Sequence, residues 1–139
     1  MFIIYQITIS LLVIFSPIIF VYRIFSNKED IKRLSEKFSF PSADKKNGKL
    51  IWFHCASVGE IMSIIPLIEY YEKKKSIKQI LVTSSTVSSS KILKKFNLNK
   101  TNHQFFPIDH IFFTNKFLKY WKPSLAIFVE SEIWPCFFK

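Results

Sequence analysis

The sequence predicts an α/β fold, in which a parallel sheet of about four strands follows an apolar amino-terminal helix. Short apolar runs alternate with helix-compatible segments from Leu50 onward, a pattern typical of β-α-β units joined by right-handed crossovers. All charged residues of the 139-residue chain lie in residues 23–139. The predicted divisions are a membrane anchor (1–22), a basic juxtamembrane helix and linker (23–49), and a partial α/β domain (50–139).

The first segment has the length of one membrane span. Phe2 to Tyr22 is a run of 21 residues with few polar interruptions, and a helix needs about 20 apolar residues to cross a bilayer. A cleaved signal peptide would carry basic residues before this run and small residues after it, and the sequence has neither. We therefore expect an uncleaved anchor. Pro17 would kink or interrupt it, which leaves a shallow or tilted insertion open.

Charge predicts the orientation of this anchor. Residues 23–49 carry eight basic and four acidic side chains, whereas no basic residue precedes the apolar run. The positive-inside rule then places residues 23–139 in the cytoplasm, and the net charge of +4 in residues 23–49 would hold this segment against anionic lipid. The alternative is that many of these lysines form an ordinary solvated surface.

Helices and strands are predicted to alternate after the anchor. The predicted helices are Asp30–Phe38, Ile61–Lys74, Ser88–Phe96 and Ile111–Trp121. The predicted strands are Leu50–His54, Gln79–Thr83, His103–Phe106 and Ser124–Val129. Between the first helix and the first strand, residues 40–49 contain Pro41 and Gly48, which favours a linker.

Polar residues follow the predicted strands at their carboxyl ends. Parallel strands bring these ends to one edge of the sheet, where open α/β sheets bind their ligands. Hydroxyl groups, carboxylates and a tryptophan at one edge suit a polyhydroxylated ligand. The residues are Ser57, Gly59 and Glu60 after the first strand, Thr83, Ser84 and Thr86 at the second, Pro107 and Asp109 after the third, and Glu130, Glu132 and Trp134 after the fourth.

The same residues also have a purely structural interpretation. The run from Ser57 to Glu60 fits a capping box, with Ser57 as N-cap and Glu60 in the first helical turn, where the helix dipole favours a carboxylate. Taken alone, this run is explained better by capping than by catalysis, because short motifs often match by chance. Ser88 and Asp109 are predicted to be ordinary helix N-caps.

Composition excludes several other kinds of site. The two glycines of the chain, Gly48 and Gly59, cannot form a phosphate-binding or dinucleotide-binding loop. Cys55 and Cys136 are far apart, and the three histidines have unrelated spacings, so we expect free thiols and no metal site. Cys55 is not expected to act as a nucleophile with His54, because neighbouring side chains on a strand point to opposite faces.

Two runs read together give the chain a family resemblance. Glu130 to Pro135, combined with Ser57 to Glu60, resembles the 3-deoxy-D-manno-octulosonic acid (Kdo) transferases of lipopolysaccharide synthesis. The similarity continues through Ile80 to Thr86, Gln104 to Asp109 and Lys122 to Ile127, and it covers essentially the whole chain. The motifs are specific in their combination and order rather than singly.

Two positions depart from the family pattern. Cys136 stands where an asparagine usually follows Trp-Pro, and Ser88-Ser89 stands where the hydroxyl-rich turn usually closes with Thr-Gly. Losing that glycine could stiffen or reshape the turn. These departures concern contacts with the acceptor and leave the carboxylates in place.

The resemblance implies a GT-B glycosyltransferase whose amino-terminal, Rossmann-like domain handles the lipid acceptor. Such an enzyme transfers Kdo from CMP-Kdo to a lipid A precursor with inversion, at the bacterial inner membrane, without a metal or other cofactor. By this resemblance Glu60 is the proton acceptor, because a sugar hydroxyl is a poor nucleophile until a carboxylate takes its proton. Glu130 would support the transition state. Acceptor contacts are expected from Ser57, Gly59, Thr83, Ser84, Thr86, Glu132 and Trp134.

The length of the chain suits only part of such an enzyme. GT-B enzymes have two domains, and 139 residues suffice for one. We therefore expect an amino-terminal portion that lacks the CMP-Kdo domain, is inactive alone and leaves an apolar sheet edge open. Two other classes remain open: the acceptor half of a split transferase with a separate carboxy-terminal half, and a non-enzymatic basic protein on inner-membrane lipids. Nucleic acid is not an expected partner, because the lysines are dispersed and no recognition motif accompanies them.

Overall fold

The structure, a computed structural model, describes residues 2–26, 28–129 and 134–137. Its helices are α1 (Phe2–Phe25), a 3-10 helix (Ile31–Phe38) that we call the edge helix, α2 (Val58–Glu72), α3 (Val87–Leu93) and α4 (Ile111–Trp121). Its strands are β1 (Lys49–His54), β2 (Ile77–Ser84), β3 (Thr101–Phe105) and β4 (Leu125–Phe128). The predicted order of elements is confirmed.

The four strands are parallel and lie in the order β3-β2-β1-β4. β1 pairs on both sides, with Phe53 opposite Val82 of β2 and opposite Ile127 of β4. Two crossovers step outward from β1 to β3, and the third returns the chain across the sheet to β4. The strand order therefore reverses between β1 and β4, which creates a topological switch point there. The predicted α/β fold with a four-stranded parallel sheet is confirmed.

Side chains of β1 alternate between two apolar layers, one on each face of the sheet. Ile51, Phe53 and Cys55 pack with α2 and α3 on one face. Trp52 packs on the other face with Phe117 of α4, with 4.9 Å between the ring centroids. Both faces of β1 are thus covered by helices, as a parallel sheet requires.

α1 is one continuous helix, although it contains Pro17. The interruption that this proline suggested is absent, and the helix extends beyond the predicted anchor to Phe25. Residues Ile3–Phe25 are long and apolar enough to cross a membrane, judged by length and composition.

The N-cap predicted for α3 is wrong. Thr86, in an extended conformation (φ −121, ψ 149), is the N-cap, and its hydroxyl accepts a hydrogen bond from the Ser89 N–H. Ser88 already lies inside the helix. The cap falls at Thr86 because the chain there is still extended, which lets the side-chain oxygen reach the first free N–H groups of the helix.

The N-cap predicted for α4 is also wrong. His110 is the N-cap, with its ring nitrogen Nδ1 accepting the Phe112 N–H. The Asp109 carboxylate instead accepts hydrogen bonds from the Tyr5 hydroxyl and the Cys136 N–H. These partners are distant in sequence, so the local pattern could not reveal them.

Side chains of the edge helix partly close the outer edge of β3. Glu36, which is 1% exposed, accepts the Phe105 N–H at 2.7 Å and pairs with Arg33 at 2.6 Å. Arg33 also donates to the carbonyl oxygen of His103. Among the described strands, β4 forms the other edge of the sheet, and its residue Leu125 is 45% exposed.

Replacing Glu36 tests this edge contact. Glu36→Ala leaves the Arg33 guanidinium and the Phe105 N–H without their buried partner, so we expect a loss of about 3 kcal/mol in the free energy of unfolding. Urea denaturation of the detergent-solubilised chain measures it. The control is Glu69→Ala, an exposed site in α2, which should change this free energy by less than about 0.5 kcal/mol. Equal effects of the two substitutions would contradict the prediction.

A second prediction concerns the pH dependence of stability. Burial, and then the Arg33 guanidinium, lower the pKa of His103 to about 3. An unfolded histidine titrates near pH 6.5, so below about that pH the unfolded chain binds a proton that the folded chain does not. The free energy of unfolding should therefore fall as the pH drops from about 6.5 towards 3.

His103→Gln isolates this effect, because it removes the titrating ring. Urea midpoints measured near pH 5 and near pH 7.5 should differ less in the variant than in the wild type. The same difference in both proteins would show that His103 is not the cause.

Candidate functional site at the carboxyl edge of the sheet

Glu60 lies in the first turn of α2, at the carboxyl edge of the sheet. Ser57 is the N-cap, and its hydroxyl oxygen accepts the Glu60 N–H at 3.2 Å. The Glu60 carboxylate accepts the Ala56 N–H at 2.8 Å and the Ser57 hydroxyl at 2.7 Å. The capping interpretation is therefore confirmed, with the variation that the carboxylate reaches the N–H of Ala56.

Capping and proton transfer are compatible at this position. Each carboxylate oxygen has two lone pairs, and each accepts one of the two hydrogen bonds given above. The side chain is half-buried, so the remaining lone pairs can reach solvent or a ligand.

The position of β1 in the sheet places Glu60 beside the topological switch point. His54, the last residue of β1, lies opposite Thr83 of β2 and Phe128 of β4. The loop that leads to Glu60 therefore emerges between the ends of these two strands. A crevice outside the strand ends at a switch point is the usual ligand site of an open α/β sheet.

The predicted hydroxyl-bearing residues at the end of β2 and just after it divide into buried and exposed groups. The buried Thr83 hydroxyl accepts the Trp52 Nε1–H at 2.8 Å and lies 3.0 Å from Nδ1 of His54. The buried Ser84 hydroxyl lies 2.8 Å from Nε2 of His103. Thr86, by contrast, is exposed at the start of α3.

The remaining predicted site residues have different environments. Gly59 is exposed, and a Cβ atom there would meet only the Ser57 hydroxyl, at 3.9 Å. Trp134 is half-buried, with its ring 5.6 Å from that of Phe106. Glu130 and Glu132 lie outside the described residues.

Contacts between α1 and this edge of the sheet were missed by sequence reasoning. The Tyr5 hydroxyl donates to Asp109, and the Gln6 amide donates to Sγ of Cys136 at 2.7 Å. The backbone N–H of Cys136 also donates a hydrogen bond to Asp109. The one available signal was the presence of polar side chains in an otherwise apolar run.

One cleft among the described residues lies away from Glu60. It has a volume of about 660 Å³ and lies along the outer edge of β3, between the edge helix and α3, where Lys32, Arg33 and Lys94 line it. The Arg33 charge is already paired with Glu36. In the described part of the chain, His, Cys, Asp and Glu side chains form no group of three that could hold a metal ion.

Comparisons with known proteins identify the family. The family described as 3-deoxy-D-manno-octulosonic-acid transferase (kdotransferase) matches residues 32–139. A 3-deoxy-D-manno-octulosonic acid transferase of Rickettsia bellii is 45% identical over 131 residues, which are 94% of this chain and 31% of that protein. A transferase of the same name from Rickettsia felis is 54% identical over 87 residues, or 63% of this chain and 19% of that protein.

The similarity extends outside bacteria. A probable mitochondrial 3-deoxy-D-manno-octulosonic acid transferase of Arabidopsis thaliana is 41% identical over 107 residues, which are 77% of this chain and 24% of that protein. The chain thus spans about a third or less of the length of these relatives. Since the family match covers most of its residues, the chain belongs to the Kdo transferase family and corresponds to the amino-terminal, GT-B portion of those enzymes.

Proposed function

We propose that this chain is the acceptor-handling domain of a Kdo transferase, which moves Kdo from CMP-Kdo to a lipid A precursor at the cytoplasmic face of the inner membrane. The observation that carries the proposal is the position of Glu60. Its half-buried carboxylate, held by Ala56 and Ser57, lies at the carboxyl edge of the sheet beside the switch point. The family membership supports the choice of sugar and of acceptor.

In the proposed reaction, a hydroxyl group of the acceptor attacks the anomeric carbon of Kdo. The bond between that carbon and the CMP phosphate oxygen breaks, and CMP leaves with the bonding electrons. Glu60 takes the proton of the attacking hydroxyl, which makes its oxygen a better nucleophile. Attack from the side opposite CMP inverts the configuration. The hydrogen bonds from Ala56 and Ser57 would hold the carboxylate in place while it receives the proton.

The other site residues are proposed to act around Glu60. Glu130 would support the transition state, in which positive charge develops on the sugar. The exposed residues Ser57, Gly59 and Thr86 are proposed to contact the acceptor directly. Glu132 and Trp134 would do so from the segment after β4.

The buried hydroxyl groups have a different proposed role. Thr83 and Ser84 bond inside the fold to Trp52, His54 and His103. We propose that they contribute to acceptor binding by fixing the ends of β1 and β2. Lysines on the domain surface would bind the acceptor phosphates as point charges.

The donor requires a second domain in this proposal. CMP-Kdo would bind a carboxy-terminal domain, carried by the same polypeptide or supplied by a separate half. The Rickettsia bellii relative, which is about three times as long as the segment it shares with this chain, leaves room for such a domain. A non-enzymatic, lipid-binding role is the competing function, and it assigns no chemistry to Glu60.

A chimeric transferase distinguishes the two functions. In it, residues 1–139 replace the matching segment of the Rickettsia bellii protein, and transfer is followed with CMP-Kdo and a lipid A precursor in membranes. Glu60→Gln keeps the size of the side chain but cannot accept the proton. We expect kcat to fall about 10²- to 10⁴-fold, with little change in the KM for the acceptor.

The matched control is Glu69→Gln, an exposed glutamate on the same helix, which should leave kcat unchanged. Glu60→Gln should lower the free energy of unfolding by less than about 1 kcal/mol, because only a first-turn carboxylate is lost. If the Glu60→Gln chimera transfers Kdo at the parent rate, Glu60 is not the proton acceptor. The purified chain alone should not turn over CMP-Kdo.

A further inference from the structure

α1 lies against the α/β domain along most of its length. Near its amino end the Tyr5 hydroxyl donates to Asp109. Near its carboxyl end the Phe20 ring packs against Phe38 of the edge helix, with 5.7 Å between the ring centroids. These contacts are 15 residues apart in sequence, which corresponds to about 22 Å of helix.

Polar side chains of α1 lie on the side that faces the domain. Gln6 donates to Cys136, and the Ser10 hydroxyl lies 3.3 Å from Nε2 of His110. Ser16, on the same side, is 7% exposed. The polar interruptions of the apolar run are thus used mainly in docking. Gln6 and Ser10 are one helical turn apart, as expected for neighbours on one face.

The opposite side of α1 is apolar and uncovered. Ile4, Leu11 and Ile18 recur at intervals of seven residues and are 69%, 52% and 70% exposed. An uncovered apolar surface of this length indicates a binding site for lipid or for another apolar partner. One side of α1 thus binds the α/β domain, and the other side is free to bind lipid or another apolar partner.

A docked α1 cannot also cross the bilayer. The hydrocarbon core is about 30 Å thick, so a spanning α1 would lie almost entirely within it. Groups that α1 touches, such as the Asp109 carboxylate and the Lys37 ammonium over the Phe20 ring, would then enter hydrocarbon, where charged groups are costly. Spanning therefore requires these contacts to break.

The domain itself extends the apolar surface beside α1. Phe113 packs against Phe38, and its neighbour Phe112 is 63% exposed. Ile31, at the start of the edge helix, is 66% exposed. Residues 23–49, which follow α1 directly in the chain, carry a net charge of +4, which anionic lipid headgroups would attract.

We propose that α1 lies in the plane of the membrane, with its docked side on the α/β domain and its apolar side among the acyl chains of one leaflet. The occupant of the uncovered side is the lipid leaflet itself. The carboxyl edge of the sheet, to which α1 is bound through Asp109, then lies next to the membrane surface. This arrangement of α1 does not depend on the proposed transfer reaction.

Depth measurements in lipid test this arrangement. Nitroxide labels are placed on Ile4→Cys, Leu11→Cys and Ile18→Cys in the full chain, reconstituted in vesicles of phosphatidylethanolamine and phosphatidylglycerol. The native Cys55 and Cys136 are 0% and 5% exposed, so they should label poorly. An in-plane helix places the three labels at the same shallow depth. Val13→Cys, on the docked side, is the control and should be shielded from lipid.

Other arrangements give different depth profiles. A spanning helix puts the Leu11 label deepest and the other two labels nearer opposite surfaces, and it exposes the Val13 label to lipid. Pairing of α1 with a second copy shields the outward labels from lipid and couples their spins. Either result overturns the proposal.

A second measurement avoids substitutions in α1. An epitope fused before residue 1 should be cleaved only by protease on the same side of the membrane as residues 23–139. Cleavage from the opposite side would overturn the in-plane arrangement even if the labelled variants failed to fold.

Discussion

The fold depends on β1, which helices cover on both faces of the sheet and which pairs with β2 on one side and β4 on the other. Its side chains alternate between two apolar layers, so Phe53 packs with α2 and α3 while Trp52 packs with α4. A parallel sheet needs helices on both faces, and the crossover from β3 to β4 supplies the second face. The same crossover reverses the strand order at β1, so one packing requirement produces both the core and the switch point beside Glu60.

Buried polar contacts hold the ends of β1 and β2 in register near this switch point. The Thr83 hydroxyl accepts the Trp52 indole N–H and lies 3.0 Å from Nδ1 of the His54 ring. Three buried polar side chains therefore come together at this hydroxyl. Such groups are costly to bury without partners, and with partners they fix a single arrangement. The ends of β1 and β2 are thereby fixed relative to each other below the loop that carries Glu60.

Two sets of polar contacts join helices outside the sheet to the α/β domain. Glu36 and Arg33 satisfy the backbone of β3 at an edge that would otherwise attract another strand. Tyr5 and Gln6 attach α1 to the carboxyl edge through Asp109 and Cys136. In both cases charged or polar side chains form hydrogen bonds with groups far away in sequence.

The sequence alone determined the order of elements, the α/β class and the family. Apolar periodicity is local, and the runs around Glu60 and after β4 are specific in combination. Tertiary structure alone decided the strand order and the docking of α1. Strand pairing and buried side-chain contacts join residues distant along the chain, such as Tyr5 and Asp109, so no local pattern encodes them.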